Sequence, residues 1–199
     1  TTEDPWGPHE FGYFWRHWLR VDNSPSHHIS DELAAQIDHE GLGRMLSNIV
    51  GAFGRPTIFT NLVCGLNARL LNRVRPNSVF ILIERNEEAV VRSILRCRKE
   101  RYGDERVWWS LRPSSYAEIK QVVDPEEQAS RQVTELRSEI NKELNAADCQ
   151  VIRLSYEGLC ADPRGSLEQI KAQINTRGSL VHSRNLPDCP ATLSKAQLP

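Results

Sequence analysis

VFILIERNEEAVVRSILRCRK, residues 79–99, decides how this chain folds. An unbroken apolar run, residues 79–83, gives way to Arg85 and Asn86 and then to an amphipathic stretch that carries Ser93. The run is short and continuous, as in a buried strand, and the stretch after it has the period of a helix. A strand running into a helix puts Arg85 at the strand's C-terminal edge, where open α/β sheets bind ligands. Ser93 lies eight residues after Arg85, about two helical turns on. A ligand lying along the start of that helix reaches both. A bidentate guanidinium beside a neutral hydroxyl suits a phosphate.

Outward from this segment, CQVIRLSY, residues 149–156, reads as a second strand. Both runs are apolar rather than alternating, so 79–83 and 150–155 are expected as interior strands of a parallel sheet. Pro125, followed by Glu126 and Glu127, opens a helix that runs to about residue 147. Asp162 is placed to cap a further helix that begins at Pro163. Residues 114–122 read as a helix. Upstream, a helix spans about residues 10–20 and residues 23–30 form a loop. Ser30 then caps a helix through residue 53, with Asp31 and Glu32 in its first turn. Residues 56–60 read as a short strand, and 62–74 have helical spacing. Gly, Pro, Ser and Asn accumulate near the end, so residues 175–199 are expected as a loose tail. Strands alternate with helices, which predicts an α/β fold, a parallel sheet flanked by helices.

With 199 residues the chain suits a single domain over 1–199. Its 25 basic and 26 acidic side chains give a net charge of −1, which argues against a nucleic-acid binder. A local arginine cluster still suffices for a small anion. No apolar run approaches the ~20 residues of a membrane span, and nothing resembles a signal peptide. Cys64, Cys97, Cys149, Cys160 and Cys189 are odd in number, scattered and never in CxxC spacing. That pattern fits a reducing cytoplasm and no structural zinc.

Three segments carry a resemblance to a known family. RNEEAVVRS, residues 85–93, is similar to the 3′-phosphate-binding segment of sulfotransferases, which use 3′-phosphoadenosine 5′-phosphosulfate (PAPS). RLSYEGLCADPRGSLEQI, residues 153–170, resembles the later strand and helix of that family, where a Tyr-Glu pair ends the strand and an acidic-Pro-Arg-Gly turn opens the helix. PHEFGYFW, residues 8–15, more weakly resembles bacterial members in which a Pro-x-Glu-aromatic segment presents a carboxylate to the acceptor. The resemblance covers roughly residues 6–172. It implies a P-loop NTPase-like sulfotransferase fold and transfer of a sulfuryl group from PAPS to a hydroxyl, less readily an amine, of a small-molecule, carbohydrate or lipid acceptor, with no metal required.

The family's Gly-rich phosphosulfate loop has no counterpart here, so the expectation is a domain without its first strand and loop. PTIFTN, residues 56–61, carries Thr60 and Asn61 where the family commonly has a lysine. Asn61 is a candidate donor to the transferring group. Two alternatives arise from these departures: a nucleotide-binding module without catalysis, or another P-loop transferase such as a small kinase, with Glu84 as its acidic residue.

By the resemblance, Arg85 and Ser93 hold the 3′-phosphate and Tyr156 faces the adenine side. Proton removal from an acceptor hydroxyl needs a base. Glu10 matches the family pattern, and His9, with an ordinary value near ~6.5, competes for that role. Phe11 and Phe14 belong to a dense aromatic stretch that divides between core packing and an acceptor pocket. Trp108 and Trp109 sit on a loop, as a lid or as a hydrophobic plug. His27 and His28 are expected exposed in their loop, without a spaced third ligand for a metal.

Overall fold

The computed structural model describes residues 10–54, 57–76 and 78–176. At its centre β1 (Val79–Glu84) pairs in parallel with β2 (Gln150–Ser155), Val79 opposite Gln150 and Glu84 opposite Ser155. The chain crosses between them through α6 (Glu87–Tyr102), α7 (Tyr116–Ile119) and α8 (Pro125–Ala146). After β2 come α9 (Tyr156–Ala161) and α10 (Pro163–Thr176). Upstream lie α1 (Gly12–Leu19), α2 (Asp31–Ala34), α3 (His39–Phe53), α4 (Leu62–Leu66) and α5 (Ala68–Val74).

The apolar runs place side chains on both sheet faces. Phe80, Leu82 and Val151 pack with Ala68 of α5 and with Ile140, Leu144 and Ala147. Ile152 and Leu154, on the opposite face by alternation, are buried. The expected interior position is corrected: among the described residues the sheet has two strands, so each keeps one unpaired edge. Ile83, near the end of β1, is 48% exposed. Residues 57–60, expected as a strand, have no ladder partner, and Asn61 hands the chain directly into α4 by capping it.

Helix boundaries obey capping chemistry. Asn86 accepts from the Ala89 amide at the head of α6, Asp124 from the Glu127 amide at α8, and Asp162 from the Gly165 amide at α10. Two helices expected as continuous are broken where a side chain competes for the backbone. Asp38 accepts from the Gly41 amide and starts α3 afresh, so the helix capped by Ser30 ends as the short α2. Asn67, 2% exposed, accepts from the Ile29 amide and donates to the carbonyls of His27 and Val63. It separates α4 from α5 and pins the 27–29 loop to them.

The main core is helical and lies upstream of the sheet. Trp15 and Leu19 of α1, Leu42 and Leu46 of α3, Val63 of α4, and Leu70 and Leu71 of α5 are buried together. A smaller cluster, Val91 of α6 against Ala129 and Val133 of α8, fixes the crossover helices. Both clusters position side chains for the site. The expected tail lies outside the described residues beyond Thr176.

Candidate active site

At the C-terminal edge of the two strands, Arg85 comes directly after β1 and Tyr156 directly after β2. The Arg85 guanidinium carbon stands 4.4 Å from the centroid of the Tyr156 ring, a cation–π contact between residues 71 positions apart. Glu157, whose Oε1 accepts from the Asn86 amide at 3.5 Å, has no cation partner among the described residues, but the other neighbouring charges are paired. Glu84 meets Arg153 at 3.3 Å, and Glu87 accepts from Thr134 at 2.8 Å and from Arg137 at 3.2 Å. Arg137 also donates to the Arg85 carbonyl. Arg85 itself has no carboxylate partner among the described residues, and its Nε is buried without a hydrogen bond. Stacking on Tyr156 holds the guanidinium, which forms no ion pair among the described residues. Ser93 lies in the second turn of α6, half-buried, with a hydroxyl that makes no hydrogen bond among the described residues. Among the described residues, the edge thus presents a cation without a carboxylate partner and a free hydroxyl on the adjoining helix, groups of a kind that bind anions.

A separate cleft of about 520 Å³ lies between α1, the 21–28 turn, the start of α4 and the 108–112 strap. Glu10, Arg16, His27, Asn61, Trp108, Trp109 and Arg112 line it. Glu10 stands exposed, and its carbonyl accepts from Asn61 Nδ2 at 3.1 Å. The Asn61 amide is therefore engaged twice, since its Oδ1 also accepts from the Val63 amide. Arg16 pairs with Asp22 at 3.0 Å on the rim.

The strap is tied down from below. Arg98 of α6 is fully buried, yet it bonds no carboxylate among the described residues. It donates to the Glu105 carbonyl, to Gln128 Oε1 at 2.8 Å and to Gln132 Oε1 at 2.9 Å, and it sits 5.5 Å from the Trp108 ring. Gln132 in turn donates to the carbonyls of Trp109 and Leu111 at 2.9 Å each. Trp108 packs edge-on against Tyr116, and Arg101 lies 4.1 Å over Trp109. The two tryptophans are thus a fixed wall of the cleft.

Of the residues expected from the sequence, Arg85 and Tyr156 come together at the sheet edge, and Glu10, Trp108 and Trp109 come together in the cleft. His9 lies outside the described residues. Phe11 and Phe14 do not line the cleft: they pack 6.2 Å apart and both pack on Phe59, at 5.5 and 6.3 Å, an aromatic cluster joined to the core. Phe14 is half-buried there against Phe59 and Trp15, whereas Phe11, 40% exposed, packs on the edge of the same cluster.

The expectation that His27 and His28 are exposed is also corrected. The His27 amide donates to the Arg112 carbonyl at 2.9 Å, and the Arg112 amide donates back to His27 Nδ1 at 3.1 Å. Burial and the Arg112 charge push the His27 imidazole down to about 4. His28 Nε2 meets Glu143 at 3.2 Å. Glu143 also accepts from the Arg69 amide at 3.1 Å and its Nε at 2.7 Å. That bond to Glu143 raises His28, and the bonds from His28 and Arg69 lower Glu143 against its burial. His27 and Arg112 escape a reading of the sequence because each finds its partner 85 positions away.

Two parallel strands flanked by helices, with a cation at their C-terminal edge and a separate polar, tryptophan-walled cleft, make an α/β architecture. The family model described as Sulfotransferase family matches residues 14–177, and the chain belongs to that family. Sulfotransfer is accordingly its general activity. No curated protein and no solved structure matches the chain. Among the described residues no helix is long and apolar enough to cross a membrane, and no group of three His, Cys, Asp or Glu side chains stands close enough to hold a metal.

Proposed function

We propose that this chain, as a single domain, transfers a sulfuryl group from PAPS to a hydroxyl of a small-molecule, carbohydrate or lipid acceptor. The observation that carries the reading is the Arg85 guanidinium, without an ion pair among the described residues, stacked on Tyr156 at the strand edge. Arg85 and Ser93 would hold the 3′-phosphate, with Tyr156 on the adenine side. The donor supplies the activated sulfuryl group.

In the cleft, Glu10 is the proposed base, with His9 its competitor. Its exposed carboxylate at the mouth is accessible to an incoming hydroxyl, and Asn61 fixes the backbone that carries it. Trp108 and Trp109 offer the acceptor flat apolar faces. Glu84 is engaged by Arg153, which speaks against the small-kinase alternative, where it would be needed for a metal. The free thiols of Cys64, Cys97, Cys149 and Cys160 support a reducing, cytoplasmic setting.

Arg85→Ala tests the reading. One charge-assisted hydrogen bond contributes ~1.5–3 kcal/mol, so the substitution weakens adenosine 3′,5′-bisphosphate binding roughly 10- to 150-fold in calorimetry. Unchanged affinity refutes the assignment of Arg85.

A further inference from the structure

Among the groups that line the cleft beside the proposed base and its wall is the His27 imidazole. Its geometry is unusually determinate. The Arg112 amide can only donate, so Nδ1 must accept, and the ring proton of the neutral imidazole is on Nε2. Protonating Nδ1 would break that bond and leave the Arg112 amide facing another N–H. The surroundings act in the same direction. Arg112 stands beside the ring, anchored through Nη2 to the Val21 and Ser24 carbonyls, and has no carboxylate partner among the described residues. Asp22, the nearest acidic influence, is already paired with Arg16. Nε2 makes no hydrogen bond among the described residues, yet it is not sealed from solvent, and the residue lines the cleft.

We propose that His27 is a fixed neutral donor in the acceptor cleft, presenting Nε2–H to an oxygen of the acceptor and orienting it, and that it is not a proton-accepting base. The inference rests on the reading of this cleft as the acceptor site. It narrows the acceptor to a molecule with a flat apolar or aromatic face for Trp108 and Trp109 and an oxygen lone pair for His27. A neutral imidazole with a fixed tautomer suits this task, because its donor does not switch off between pH 5 and 8.

Two measurements on the chain as it stands test the proposal. Long-range ¹⁵N–¹H NMR of the labelled protein should show His27 protonated at Nε2 alone, without titration between pH 5.5 and 8. A proton on Nδ1, or titration near 6.5, overturns it. 4-Nitrophenol, an aryl alcohol with both required features, is then titrated in. Its binding should perturb the His27 Nε2–H resonance. His27→Ala should weaken that binding roughly 2- to 13-fold, the span of one neutral hydrogen bond, and His27→Gln, which restores a side-chain N–H, should recover it. The proposal is overturned by a lack of saturable binding, or by equal affinity of wild type and His27→Ala. Adenosine 3′,5′-bisphosphate binding should be the same in all three proteins, so a failure of the nucleotide reading is seen separately.

Discussion

Replacing Arg98 with methionine removes the one fully buried cation of α6 while keeping most of its volume. The guanidinium makes three hydrogen bonds, to the Glu105 carbonyl, Gln128 Oε1 and Gln132 Oε1. Without it, the two glutamine oxygens are left buried and unsatisfied, at about 1–3 kcal/mol each. The Glu105 carbonyl, on a partly exposed loop, turns to water. Against this loss of about 2–6 kcal/mol stands relief from burying a charge that has no carboxylate partner among the described residues, itself several kcal/mol. The two terms overlap in size; the expectation is that the hydrogen bonds prevail, and a net destabilisation of about 2 kcal/mol, the low end of the loss, is the value put to test. For a urea slope of about 2 kcal/mol/M, the unfolding midpoint falls by about 1 M. Urea unfolding followed by circular dichroism and by tryptophan fluorescence reads this directly, since Trp108 sits against Arg98. Amide exchange over residues 105–111 should also accelerate, because Gln132 holds the Trp109 and Leu111 carbonyls. A midpoint that stays put or rises would refute the reasoning. It would mean that the buried charge is a net burden and that packing alone holds the strap.

The same geometry sets other outcomes. With PAPS as donor, Glu10→Gln should lower turnover by ~100- to 10,000-fold, the range of a general base, with nucleotide affinity little changed. If it turns over normally while His9→Ala is dead, the base is His9. The paired histidines give opposite pH slopes. His27 lies at about 4, below its ordinary 6.5, so stability that depends on its neutral form is complete above pH 6.5 and is lost as pH falls towards 4. His27→Gln should therefore lose less stability than wild type between pH 7 and 4, by up to about 3 kcal/mol in urea titrations. His28 is raised, so its contribution is complete below 6.5 and is lost as pH rises through its folded value. Glu143 is lowered, so its share is present above 4.5 and fades on further acidification. His28→Gln should flatten the loss on the alkaline side and, because His28 helps to lower Glu143, also lessen the loss on acidification.

Much of the fold is legible in the sequence because it rests on local chemistry. β1, β2, α6, α8 and α10 arise from apolar runs and from caps at Asn86, Asp124 and Asp162, all signals within a few residues. The breaks at Asp38 and Asn67 are not legible. An Asp or Asn inside a periodic stretch is tolerated or disruptive according to what its side chain can reach, and Asn67 reaches Ile29 and His27, about 40 positions away. The missing sheet neighbour at residues 57–60 has the same character, since strand status depends on a partner. Arg85 and Tyr156 stand out through motifs, and their contact adds geometry to that reading. Arg98 reads in the sequence as one more charge on a basic helix, because its burial is imposed by Gln128 and Gln132 of α8. Phe11 and Phe14 read as pocket residues because aromatic density alone does not distinguish a wall from a core.

The central claim is that the strand edge recognises a 3′-phosphate. Calorimetric titration of this chain with adenosine 3′,5′-bisphosphate and, separately, with AMP tests it most directly, since the two differ only in that group. A charge-assisted bond from Arg85 and a neutral one from Ser93 together contribute ~2–4.5 kcal/mol, so the bisphosphate should bind roughly 30- to 2,000-fold more tightly. Equal affinity for the two nucleotides would contradict the account.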